Sequence, residues 1–154
     1  MTRKSEFKGL RQDTQRLLQG QEGREVDFKE NHKGVKPEDY VAFANTIGGT
    51  ILVGVREEKA DDGQQFGTVV GCNISDEIRQ NFISTAASCR PAIEISVTVE
   101  NLDTDTPIYR IDIPEGVEKP YCTSSGTYKY RAEGQRVAID PTRMSAIILE
   151  GESE

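Results

Sequence analysis

The chain has 154 residues, 35% of them apolar and 29% charged, a balance that suits one soluble globular domain with a proper core. Its net charge of −7 argues against a protein that coats nucleic acid indiscriminately, because backbone binding runs on Lys and Arg. No apolar run approaches the roughly 18 residues of a membrane span, and Met1-Thr2-Arg3-Lys4-Ser5 leads into polar residues, so cytoplasmic residence without a membrane partner is expected.

In chain order, Phe7, Leu10, Thr14, Leu17 and Leu18 stand at helical spacing and predict an amphipathic helix over residues 1–20, ending near Gly20. Glu25-Val26-Asp27-Phe28-Lys29 alternates polar and apolar, the period of a half-buried strand. Val26 and Phe28 then face the core, while Glu25, Asp27 and Lys29 share the other face. Pro37 suits the first turn of a helix in which Tyr40, Phe43, Ala44 and Ile47 form one apolar face. Gly48-Gly49 stops that helix, and Thr50–Val55 reads as a central strand buried on both faces. A polar turn at Gly63 and the run Gly67–Gly71 suggest the return of a hairpin. A helix follows over Asp76–Ser88, with Ile78, Phe82, Ile83 and Ala86 inward.

Ile93, Ile95, Val97 and Val99 alternate with polar residues, and Tyr109, Ile111 and Ile113 repeat the pattern against Arg110 and Asp112. A last strand pair is expected at Thr127–Arg131 and Val137–Ile139. Asp140-Pro141 then opens a closing helix with Met144, Ile147 and Ile148, and residues 151–154 form a frayed tail. The sum is one α/β (α+β) domain over residues 21–150, a mixed, largely antiparallel sheet flanked by helices.

The chemistry-bearing residues are few. Cys72, Cys89 and Cys122 form no Cys-x-x-Cys pair, so structural zinc and a disulfide framework lack support, and small packed thiols are expected. The single histidine, His32, leaves little room for a His-centred triad. No Gly-x-x-x-x-Gly-Lys-Ser/Thr loop is present, so no nucleotide cofactor and no ATP hydrolysis are expected. Charge is uneven. Residues 1–36 carry nine Lys/Arg against six Asp/Glu, whereas residues 57–118 carry four against thirteen. A basic front end on an acidic body permits a local phosphate-facing surface.

Several pieces in order resemble the Schlafen/AlbA-like domain family, also described as a DNA-binding or divergent AAA-type domain. They are Glu22-Gly23-Arg24-Glu25-Val26-Asp27-Phe28-Lys29, the segment Ala42–Val55 with Asn45, Gly48 and Gly49, then Arg90-Pro91, Lys119-Pro120-Tyr121 and Gly126–Arg131. The Asn45–Val55 piece is the specific one, and Asp27 departs from the family's usual Glu. The resemblance implies a nucleic-acid-binding module, RNA or DNA, or else a metal-dependent endoribonuclease acting on tRNA-like RNA. In the second case the family's three acids fall on Glu22, Asp27 and Glu57, with Glu58 adjacent to the last. Such carboxylates suit Mg²⁺ or Mn²⁺.

Around that site, Lys29 is a candidate for stabilising phosphate charge, and Arg24 and Lys33 for holding neighbouring phosphates. Arg131 and Arg136 are further phosphate candidates, with salt-bridge roles as the alternative. Asn45 is expected to cap the Gly48-Gly49 turn by bonding local backbone. Tyr128 and Tyr130 read as core side chains, with base stacking as the alternative. A third function class is an assembly module working through the N-terminal helix. A homodimer is expected from the resemblance, and a monomeric mass by light scattering would rule it out.

Overall fold

The structure, a computed structural model, describes residues 6–20, 26–132 and 135–152. The elements run α1 (Gln12–Leu18), β1 (Val26–Lys29), α2 (Pro37–Ala44), β2 (Gly49–Val53), β3 (Val55–Lys59), β4 (Gln65–Val69), α3 (Asp76–Ala87), β5 (Ser96–Glu100), β6 (Ile108–Ile113), β7 (Lys129–Ala132), β8 (Gln135–Ala138) and α4 (Pro141–Glu152). A short 3₁₀ turn, His32–Gly34, links β1 to α2. The central sheet has the order β1-β2-β6-β5, with β1 parallel to β2 and the other pairs antiparallel. The fold is thus α+β with a mostly antiparallel sheet in one compact domain. No described helix is long and apolar enough to cross a membrane.

Strand alternation divides the core between the two faces of this sheet. Ile51, Val53, Tyr109 and Ile111 face α2 and α3, where they meet Phe43 and Phe82 in the main core. Tyr109 stands edge-on to Phe82 at 5.2 Å, a favoured aromatic arrangement. Leu52 and Ile108 face the other way and pack with Leu17 and Leu18 of α1, with Val26 and Phe28 against them.

Helix α1 is shorter than the spacing from Phe7 predicts. Phe7 is extended and donates its amide to the Val99 carbonyl at 2.8 Å, beside a parallel bridge from Glu6 to Val99. Phe7 thereby covers an outward carbonyl of edge strand β5, a use of backbone that helix formation would forbid. Helix α2 also ends early. The Gly48 amide donates to the Phe43 carbonyl at 2.9 Å, leaving Ile47 61% exposed rather than in the core.

Gly48 adopts φ +75°, and a Cβ there would lie 2.6 Å from the Ile113 carbonyl oxygen, so the close approach to β6 requires glycine. The apolar run Thr50–Val55 is not one strand. At Gly54 (φ +98°) the chain leaves the central sheet for the separate β3–β4 ribbon, and the Gly54 carbonyl accepts from Val70 and Gly71.

Further along, β5 begins at Ser96, although Ile93 is buried. Ile93 donates its amide to the Ala86 carbonyl at 3.1 Å, so a loop bonded to α3 does the work expected of a strand. The β7–β8 pair has its own ladder and rests on α2. Helix α4 is capped by Asp140, whose Oδ1 accepts from the Arg143 amide at 2.7 Å. It buries Ile147 and leaves Ile148 39% exposed.

Candidate nucleic-acid interface

The end of β1, the 3₁₀ turn and β8 converge on the N-terminus of α2. Asp39, in the first turn of that helix, organises them. Its side chain is 1% exposed, and its Oδ2 accepts from the Lys36 amide at 2.8 Å, satisfying one orphan donor of the helix start. Lys29 Nζ lies 3.5 Å from Asp39 Oδ2 and 3.1 Å from Asp27 Oδ2. From the opposite side Arg136 Nε approaches Asp39 Oδ1 at 3.2 Å, and its Nη1 lies 3.4 Å from Glu38 Oε2. The Arg136 contact is an ion pair off the hydrogen-bonding direction, so Oδ1 is a buried acceptor without a hydrogen bond.

Burial pushes the Asp39 carboxyl above its ordinary value, and the nearby Asp27 charge adds to this. The Lys36 amide, Lys29 and Arg136 pull the other way without cancelling it. Lys29 thus stands between Asp27 and Asp39, and Arg136 between Asp39 and Glu38, around a carboxylate whose Oδ1 lacks a hydrogen bond.

Asn45 sets the far side of this arrangement. It is 4% exposed, and its Oδ1 accepts from the Tyr121 amide at 2.6 Å. Its Nδ2 donates to the carbonyls of Tyr121 and Lys129 at 2.9 and 2.8 Å. The sequence predicts the Gly48-Gly49 turn as its partner. The side chain instead ties α2 to β7, because the α2 C-terminus faces that strand and its neighbouring segment offers otherwise unpaired backbone groups. Fixing β7 fixes β8, and with it Arg136.

The sequence-predicted residues separate accordingly. Asp27, Lys29 and Arg136 come together around Asp39. Lys33 is exposed on the adjacent 3₁₀ turn. Arg131 does not join them: it is 5% exposed, with its guanidinium 4.3 Å from the Phe43 ring centroid, and this burial removes it from a phosphate-contacting role. Glu57 is exposed on β3 opposite Gly67, while Glu58 accepts from the Thr68 hydroxyl. Glu22 and Arg24 lie outside the described residues. Tyr128 is 37% exposed and Tyr130 half-buried under Arg143 at 4.9 Å, so neither is the core residue expected.

The residues missed from sequence are Asp39, Glu38 and Lys36. Lys36-Pro37-x-Asp39 carries a helix-start signal, which marks Asp39 as a cap but does not reveal its two cations. As for a divalent ion, Asp27 and Asp39 supply hard oxygen donors of the right chemistry. Among the described residues, however, no three His, Cys, Asp or Glu side chains are grouped to hold a metal.

Comparison with known proteins bears on the fold and the family. The solution NMR structure of the N-terminal domain of an ATP-dependent DNA helicase RecG-related protein from Nitrosomonas europaea is similar in fold, with a TM-score of 0.52 and 22% identity. The match covers 78% of this chain and 87% of that one. The crystal structure of the DIP2311 protein from Corynebacterium diphtheriae matches at a TM-score of 0.47 and 19% identity, over 84% of this chain and 26% of that one. No curated protein matches significantly. The family model described as Schlafen, AlbA_2 matches residues 22–140, a span containing both the Asp39 cluster and the Asn45–Val55 segment, and the chain belongs to that family.

Proposed function

We propose that this domain binds nucleic acid through the cationic edge around the α2 N-terminus, with Lys33 and Lys36 making the first phosphate contacts. The observation that carries the reading is their placement. Both are exposed, and among the described residues neither has an ion-pair partner. They flank Lys29 and Arg136, which share the buried Asp39. On a chain of net charge −7, such an edge favours local, oriented contact over indiscriminate coating. Family membership supports the same reading.

Fluorescence anisotropy with labelled RNA and DNA at several salt concentrations tests it. Lys33→Ala/Lys36→Ala should weaken binding about tenfold or more. It should also flatten the salt dependence by about 1.4 in log–log slope on single strands, roughly 0.7 for each phosphate no longer neutralised. Unchanged affinity and slope would overturn the placement.

A metal-dependent endoribonuclease is the second reading, favoured by the two carboxylates, Asp27 and Asp39, that meet at Lys29. Here Asp27 would act with Glu22 and Glu57 in holding Mg²⁺ or Mn²⁺, which supplies an activated water, while Lys29 balances phosphate charge. EDTA-sensitive tRNA cleavage that disappears in Asp27→Asn would establish this reading. Binding without cleavage would leave the first.

A further inference from the structure

Beside the cationic edge lies a cleft of about 480 Å³ between the 3₁₀ turn and the start of α3. Its size falls within the roughly 300–1,000 Å³ of small-ligand clefts. Val35 and Ile78 line it and also pack on the main core, which makes its apolar wall rigid. His32 lines it from the turn, with Lys33 and Lys36 on the same side. Glu77 and Asn81 complete the lining from α3. They stand four residues apart on one helix, hence on one face with Cβ atoms about 6 Å apart. Both are exposed, and among the described residues no hydrogen bond engages either side chain.

This donor and acceptor set is selective. A carboxylate accepts two parallel hydrogen bonds, and a side-chain amide offers a donor beside it. Guanine presents the complementary edge, two adjacent donors at N1 and N2 with the O6 acceptor next to them. Adenine, cytosine and uracil each lack the paired donors. The edge is free only when the base is unpaired, and a flat imidazole beside an aliphatic wall suits a splayed base.

We infer that this cleft is a guanine-selective subsite for single-stranded nucleic acid. Glu77 takes the N1–H and N2–H of the base, Asn81 donates to O6, and Lys33 and Lys36 hold the flanking phosphates. The inference rests on the nucleic-acid-binding reading and adds to it a substrate class and a base preference.

Anisotropy with all-uridine RNA 12-mers, and the same 12-mers carrying one central guanosine or one central adenosine, tests it on the full chain. The wild type should prefer the guanosine oligomer by about tenfold, the scale of one good bidentate base contact. Glu77→Gln should abolish the preference while leaving all-uridine binding unchanged, and Asn81→Ala should reduce it. Circular dichroism of each variant confirms that the fold is retained. Equal binding of all three oligomers by the wild type, or a preference that survives in Glu77→Gln, overturns the subsite while leaving the binding reading intact. No binding of any oligomer overturns the subsite, and the binding reading falls with it when labelled DNA is not bound either.

Discussion

Two buried carboxylates in this domain have opposite surroundings. Glu100, on β5, has a side-chain exposure of 0%, and both its oxygens are satisfied. Oε1 accepts from the Arg11 amide at 2.9 Å, and Oε2 from Arg11 Nε at 3.0 Å and the Thr14 hydroxyl at 2.9 Å. Arg110 continues the network, donating to Thr14 Oγ1 at 2.7 Å and pairing with Asp13 at 2.9 Å and Asp112 at 3.1 Å. Asp39 is equally buried but leaves Oδ1 without a hydrogen bond and holds two cations only by charge. A completed network locks elements together, here α1 onto β5 and β6. An incomplete one leaves cations able to turn towards a ligand. The difference separates the structural end of the molecule from the end we assign to function.

The sharpest way to break the comparison is Glu100→Ala. Removing one partner of a buried pair leaves Arg11 and Thr14 without their acceptor, and a loss of about 3–5 kcal/mol is expected from urea unfolding. Nucleic-acid affinity of the remaining folded protein should not change. If stability fell by less than about 1 kcal/mol, the network would not be the lock described here.

Asp39→Asn should behave differently. It removes a charge whose burial is costly and keeps the means to accept from the Lys36 amide, so stability should move by no more than about 1 kcal/mol in either direction. Lys29 and Arg136 lose their shared anion, and affinity for RNA should rise several-fold by anisotropy. A fall in affinity would show that Asp39 orients the cations instead of competing for them.

The smallest effect is in pH dependence. Because the folded Asp39 pKa is raised above its ordinary 3.8, the folded state binds more protons than the unfolded one in that window. This group's contribution to stability therefore declines as pH rises from about 3.8 through the folded value. Asp13 has the opposite sign. Burial raises it, but the charge and hydrogen bond of Arg110, with help from Arg11, outweigh burial and lower its pKa. Its contribution is present above 3.8 and is lost as pH falls through the folded value. Urea midpoints from pH 3 to 7 should show a flatter decline with rising pH in Asp39→Asn than in wild type. In Asp13→Asn, some of the acid-side loss should disappear.

Much of the fold was readable because burial follows local periodicity. The alternation of Val26 with Phe28 and of Tyr109 with Ile111 placed each on its correct side of the sheet, and helix α3 was predicted over nearly its observed span. The errors occurred where a distant backbone group decided the outcome. Phe7 follows β5 rather than a helix, and Thr50–Val55 divides at Gly54 where β1 and the β4 end converge on its peptide groups.

The site divides along the same line. By itself the sequence determined which short strand carries Asp27 and Lys29 on one face, that the chain is acidic with a basic front end, and where α2 starts. Those properties depend on residues near one another in the chain, through strand pleat, charge count and proline geometry. Only the tertiary structure decided that Arg136, about a hundred residues beyond Glu38, closes on Asp39 while Arg131 turns inward onto Phe43. A charged side chain's partner is set by which surfaces meet when the β7–β8 hairpin docks on α2, and the pattern of residues within the hairpin carries no record of that meeting.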